Sequence, residues 1–311
     1  MKVQHIRKTH KKTLKNSKKP RSIASILFSY FVKSVFCGVL LFVFGIFAAP
    51  YVFDENPEVS VYEITTKKRL YFPVKVAVIS DLHGVNFGNQ QDTLLSLVKN
   101  EEPDFIVLIG DIMGDNGSDA AAMTLLEGLQ ADGYPLYYVS GNAEYRSRRI
   151  EEIKRNIEAL GITVLDGRSV LYSRVRGEFV DRILISGIDD PENPVENTTF
   201  QLKRAWSEIE ELDDYKILLA HRPELVEEYL KFPYDLIISG HAHGGQWRIP
   251  GILERGFYAP DQGFFPKYTH GLIAHGEAFH VISRGLSGKL TVNVPRVFNR
   301  PELVILNIRE E

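Results

Sequence analysis

Five short apolar runs in this 311-residue chain end in residues that an apolar core has no use for. Val74–Ile79 runs into Ser80-Asp81-Leu82-His83-Gly84, and Phe105–Ile109 into Gly110-Asp111. Leu136–Val139 leads to Gly141-Asn142-Ala143-Glu144, and Ile217–Ala220 leads to His221. Leu236–Ile238 leads to Gly240-His241-Ala242-His243-Gly244-Gly245. Each run is β-rich and almost continuously apolar, the pattern of a strand buried on both faces. Amphipathic stretches lie between them, at Gln91–Asn100, Asp119–Leu129, Arg149–Leu160 and Pro223–Lys231. Strand alternating with helix predicts an α/β sheet with helices on its faces. Strand-rich segments from Val170 to Ile188, and from His280 to the C-terminus, point to a second sheet.

In open α/β sheets the carboxyl ends of the strands open onto a shared crevice where ligands bind. Two Asp, four His and one Asn delivered there are oxygen and imidazole donors, a set that suits Mn²⁺, Zn²⁺ or Fe. In Asp81-x-His83 and His241-x-His243 the alternate side chains point the same way, because the strand period is two. Glycines beside Asp111, Asn142 and His241 let the backbone turn sharply and give a ligand room to approach. One carboxylate between two cations can bridge them, and Asp111 is the natural candidate. Two metals roughly 3.5–4 Å apart can activate a water and hold a phosphoryl group for in-line attack.

The ordered set D-x-H, G-D, G-N-x-E, H and G-H-x-H resembles the signature of the calcineurin-like metallophosphoesterases, from Lys75 to about Ile308. Ser80–Gly84, Gly240–Gln246, the Tyr258–Gly263 stretch and Arg284-Gly285-Leu286 are similar to bacterial membrane-anchored members. The resemblance implies a four-layer α-β-β-α sandwich around a dinuclear centre, with metal-bound hydroxide as nucleophile. It assigns Asp81, His83 and His243 to a first metal, Asn142, His221 and His241 to a second, and Asp111 to the bridge. The family usually has His where this chain has Ala143, and that His contacts the phosphate and helps the leaving group depart. General acid catalysis contributes ~10²–10⁴-fold, so Ala143 predicts an intact metal site with weakened chemistry. It also favours phosphodiester or pyrophosphate substrates, whose leaving groups depart easily. His270, His275 or His280 stands as a substitute, with no spacing argument for one over another. Arg222 either orients phosphate or merely precedes the Pro223 that starts a helix. Glu144 either orients a neighbour or caps a loop. The aromatic segment Phe257–Tyr268 reads as a lid, as a membrane contact, or as packing under a long loop.

Charge is split along the chain. Residues 1–50 hold ten Lys or Arg and no acid, leaving 27 basic against 40 acidic residues beyond them, a net of −13. An acidic body argues against a groove that binds nucleic acid by neutralising phosphates. Residues 1–23 read as a basic cytoplasmic tail and 24–53 as an uncleaved membrane anchor, since Ser34–Ala49 carries no charge. A cleaved signal peptide is the competing reading; small residues at its −3 and −1 positions are missing. Nine basic residues ahead of the span place residues 54–311 outside the cytoplasm. Residues 54–73 read as a linker with a first strand, and 74–311 as the phosphoesterase domain. The single cysteine, Cys37, rules out an internal disulfide or a multi-thiolate site. Two rivals remain: a hydrolase of a nucleotide-linked lipid precursor, like a UDP-diacylglucosamine pyrophosphatase, and a metal-binding domain without turnover.

Overall fold

A computed structural model describes residues 23–114, 119–287 and 295–311, except the side chains of 24–26, 29, 41–48 and 50. The expected basic tail therefore lies outside the described residues, apart from its last position. The chain divides into two units, 1–49 and 50–311. The apolar stretch forms a 30-residue helix, α1 (Ile23–Val52). Among the described residues no helix is long and apolar enough to cross a membrane.

The larger unit is built from fourteen strands and six helices among the described residues. In chain order the first strands are β1 (Glu58–Thr66), β2 (Val74–Ile79), β3 (Phe105–Ile109), β4 (Leu136–Val139) and β5 (Thr163–Val164). The hairpin β6 (Arg168–Arg176) and β7 (Phe179–Gly187) follows, then β8 (Tyr215–Leu219) and β9 (Leu236–Ser239). After the small hairpin β10 (Tyr258–Ala259) and β11 (Gly263–Phe264) come β12 (Gly271–His275), β13 (Ala278–Ile282) and β14 (Glu302–Glu310). One six-stranded sheet has the order β1-β14-β2-β3-β4-β5, and the other β12-β13-β9-β8-β7-β6.

Period two explains why these strands are apolar throughout. Val74, Val76 and Val78 of β2 pack with Ile217, Leu219, Leu236 and Ile238 of the opposite sheet. Ala77 and Ile79 turn the other way, against α2 (Asp92–Glu101), α3 (Ala120–Ala131) and α5 (Ile150–Ala159). The second sheet repeats this arrangement. Leu218 and Ile237 face Leu202 of α6 (Thr198–Ser207) and Val226 and Tyr229 of α7 (Val226–Tyr229). Helix, sheet, sheet and helix are thus stacked, the mixed α/β sandwich that the motif order implies. The remaining helix, α4 (Asn142–Arg146), follows β4.

Two expectations need correction. The C-terminal strand β14 belongs to the first sheet, antiparallel to β2 and parallel to β1. Its Val304, Leu306 and Ile308 fill the space between the sheets while Leu303 and Ile305 face the helices. A strand apolar on both sides needs an interior position, and that lies between β1 and β2. The helix expected over Pro223–Lys231 is shorter: a 3₁₀ turn at Pro223–Leu225 followed by the four-residue α7.

Candidate metal centre

All five polar blocks leave strands that run parallel to one another within their sheet, β2, β3 and β4 in one and β8 and β9 in the other. Their carboxyl ends meet at one edge of the sandwich. Hydrogen bonds tie the ends together within each sheet, Asp81 N donating to Gly110 O (3.1 Å) and Gly240 N to His221 O (3.0 Å). The bond from His221 Nδ1 to Ile109 O (2.8 Å) joins the two sheets. Asp81, His83, Asp111, His241 and His243 all hold positive φ, between 46° and 64°. Such a backbone costs a non-glycine residue roughly 1–3 kcal/mol and persists only where surrounding contacts impose it.

The side chains fall into two groups with ligand atoms within 4.8 Å of one another: Asp81, His83 and His243, and Asp111, His221 and His241. Asp111 connects them. Its Oδ1 accepts the Ala143 N–H at 2.7 Å, while Oδ2 lies 3.4 Å from His83 Nε2 and 3.5 Å from His221 Nε2. His243 Nε2 is 3.6 Å from Asp81 Oδ1. Asn142 joins the second group with its amide oxygen facing only acceptors. Turned over, the amide would donate from nitrogen to His241 Nδ1 at 2.8 Å and accept from Arg146 at 3.1 Å. A cation between the amide oxygen and the ring nitrogen removes the same conflict without rotation, so the donor set fits a metal.

Two of the four imidazoles, His221 and His241, have partners that select which ring nitrogen faces the centre when the ring is neutral. With Nδ1–H given to Ile109 O, His221 presents Nε2 to the Asp111 carboxylate. His241 does the reverse, giving Nε2–H to Asp261 Oδ2 at 2.8 Å and leaving Nδ1 toward Asn142. A ligating His commonly carries such a carbonyl or carboxylate behind it. Burial pushes the Asp111 carboxyl up, but His221, His83 and His241 outweigh it and hold the group far below the usual carboxylate range. Burial alone would lower His221, yet Asp111 and Asp81 raise it to about 10. Burial, Arg296 and His83 push His243 far below the ordinary imidazole value. A metal ligand must be deprotonated, so a cation at Asp111 and His221 competes with that proton.

Space at the centre is provided by glycine. A Cβ at Gly141 would lie 2.2 Å from Asp111 Oδ1, and one at Gly240 1.9 Å from Ser80 Oγ. Glu144 is fully buried and caps the loop after β3. Its carboxylate accepts from Asp111 N (2.9 Å), Ile112 N (2.7 Å), Met113 N (3.1 Å) and Gly141 N (2.9 Å). Of the two sequence readings of Glu144, the loop cap is the observed one, and it positions Asp111 as well.

Arg222 stands one carboxylate away from His241. Its Nε and Nη2 grip Asp190 at 2.6 and 3.0 Å, and Nη1 donates to Asp261. Asp261 thus receives both Arg222 and His241; the His241 hydrogen bond, helped by Arg222, holds it down at about 2 against burial. His270 is bound by Arg248 Nη2 at 2.9 Å, and His280 Nε2 by Ser239 Oγ at 3.0 Å, so neither is grouped with the ligands. Arg296 is buried and approaches His243 Nδ1 at 3.5 Å, with backbone carbonyls of Arg284, Gly285 and Ser287 around it. Sequence reasoning missed Arg296 and missed the task of Asp261; both arrive on loops with no motif around a ligand residue.

The sequence matches the calcineurin-like phosphoesterase family over residues 74–245, from β2 to the end of the His241–Gly245 turn. It is 29% identical over 236 residues to YkoQ, an uncharacterized metallophosphoesterase of Bacillus subtilis, covering 74% of this chain and 82% of that one. To the phosphodiesterase YaeI of Escherichia coli it is 25% identical over 247 residues, covering 76% and 82%. A transmembrane protein with a metallophosphoesterase domain from Bos taurus is 29% identical over 233 residues, 70% of this chain and 52% of that one. The chain therefore belongs to the calcineurin-like phosphoesterase family, metal-dependent hydrolases of phosphoester bonds.

Proposed function

We propose that this chain hydrolyses phosphodiester or pyrophosphate bonds at a dinuclear centre held by Asp81, His83, Asp111, Asn142, His221, His241 and His243. The observation that carries the reading is the place of Asp111 Oδ2, 3.4 Å from a ring nitrogen of one group and 3.5 Å from one of the other. Two divalent cations there, Mn²⁺ with Zn²⁺ or Fe as alternatives, would supply Lewis acidity and an acidified water. The protein's own part is positioning. Glu144 holds the Asp111 backbone, Ile109 O and Asp261 aim His221 and His241, and Arg222 holds Asp261 in place. Buried Arg296 adds positive charge beside His243, where a phosphoryl group brings negative charge. The preference for a diester rests on Ala143, whose methyl side chain has no proton to give a leaving group. The name of the Escherichia coli relative, a phosphodiesterase, agrees with it. The stretch forming α1, with the basic residues before it, would anchor the chain in the cell membrane with residues 54–311 extracytoplasmic. That side also suits an envelope-linked substrate.

The test uses the full purified chain, stripped of metal and titrated with Mn²⁺ or Zn²⁺. Bis(p-nitrophenyl) phosphate is compared with p-nitrophenyl phosphate. Two metals per chain, with diester cleavage lost in Asp111→Asn, support the proposal. One metal per chain, or cleavage unchanged in that variant, refutes it. Ala143→His raises monoester turnover more than diester turnover if the missing proton donor sets the preference.

A further inference from the structure

A connected set of aromatic rings stands in solvent beside the metal centre. Phe264 and Phe265 are 66% and 70% exposed, Ile252 82%, and Trp247 43%. The rings touch through Phe257, whose centroid lies 5.1 Å from Phe264, 5.4 Å from Phe265 and 6.1 Å from Trp247. An almost wholly apolar groove of about 540 Å³ opens next to them, lined by Phe53, Trp247, Ile249, Leu253, Phe257 and Val297. Within the Phe257–Tyr268 segment Ala259 and Tyr268 are packed, as the loop reading expects, but the exposed Phe264 and Phe265 are not. Contiguous apolar surface of this kind marks an interaction site.

The geometry points to a lipid bilayer as the partner: the patch of Trp247, Ile252, Phe264 and Phe265 rests in the membrane interface. Three observations select that occupant. First, the chain reaches the patch directly from its most apolar stretch. Phe53 lines the groove, and Val52 O, the last residue of α1, accepts the Phe298 N–H at 2.8 Å. Second, aromatic side chains flanked by basic ones are the composition that settles at headgroup depth. Exposed Arg255 and Lys267 each stand two residues in sequence from one of the rings, Phe257 and Phe265. Third, residues 247–268 carry three basic and two acidic side chains, in a body whose net charge is −13. One of those acids, Asp261, is paired with His241 and Arg222. An anionic surface therefore repels this segment less than it repels the body as a whole. Since Asp261 and Phe264 belong to the same short hairpin, seating it would also bring the centre toward lipid headgroups. The inference rests on the anchor reading above and does not depend on the hydrolysis reading.

The test needs no truncation. The protein has two tryptophans; Trp206 packs on Phe232 and Tyr234 with centroids at 6.2 and 5.3 Å, and α1 contains none. Trp247 is therefore the natural reporter. Full chain is floated on phosphatidylcholine–phosphatidylglycerol vesicles with plain or brominated acyl chains. The expected result is emission quenched by the brominated lipid, with that quenching lost in Trp247→Phe and reduced in Phe264→Ser/Phe265→Ser. Flotation with the same quenching in wild type and Trp247→Phe overturns the patch and leaves the anchor standing. Absence of flotation overturns the anchor and the patch together. A Trp247 emission shift that follows chain density, and not bromine, assigns the patch to a second copy and also overturns the proposal.

Discussion

Replacing Glu144 with Gln tests the scaffold of the centre without touching a proposed ligand. In the wild type one carboxylate serves four buried backbone donors, Ile112 and Met113 on Oε1, Asp111 and Gly141 on Oε2. An amide keeps one oxygen, so one pair of N–H groups is retained and the other pair faces an NH₂. Leaving a buried donor unsatisfied costs about 1–3 kcal/mol, and two such groups give about 2–6 kcal/mol. At ~2–4 °C per kcal/mol for a domain of this size, the midpoint falls by roughly 4–24 °C. Urea unfolding of the metal-stripped full chain is the suitable assay, because bound metal would add its own stabilisation. Burial and the Asp111 charge push the Glu144 carboxyl up while the backbone donors oppose them. Four backbone donors on two oxygens call for the ionised form. A protonated Glu144 is nearly matched in shape and hydrogen bonding by Gln, and the substitution would then be almost silent. A loss below about 1 kcal/mol would therefore refute an ionised carboxylate satisfying four donors.

The other predictions concern the ligands and the acid limb of stability. Gly141→Ala places a methyl against Asp111 Oδ1, at a 2.2 Å approach; bound metal measured by elemental analysis falls while the far-ultraviolet dichroism is kept. Asp261→Asn removes the carboxylate behind His241, and metal affinity drops about 10–100-fold in a competition titration, with wild-type affinity as the refuting result. Buried His280 has its imidazole pushed down to about 3 by burial, with His275 adding to it. The unfolded chain then binds the proton more tightly than the folded one, so this stability is whole above about pH 6.5 and is lost as pH falls toward 3. Over that window the wild type loses up to about 1.4 kcal/mol per pH unit more than His280→Leu, and parallel curves in urea would remove His280 as the cause.

Much of this protein was determined by local sequence. Strands apolar on both faces predict sheets covered on both sides, and side chains of β2 divide between the inter-sheet core and the helices as period two requires. Ligand candidates were legible because Asp, His and Asn at strand ends have no apolar use. What tertiary structure decided is everything that depends on residues far apart in the chain. The C-terminal strand found its sheet by burying both faces, a choice that its own composition leaves open. Glu144 acquired its task because a loop thirty-odd residues earlier brings three N–H groups to it. Asp261 reaches His241 across 20 residues, and Arg296 reaches His243 across 53. Periodicity reports which way a side chain points along its own strand. Which distant loop supplies its partner is set by the packing of two sheets, and that appears only in three dimensions.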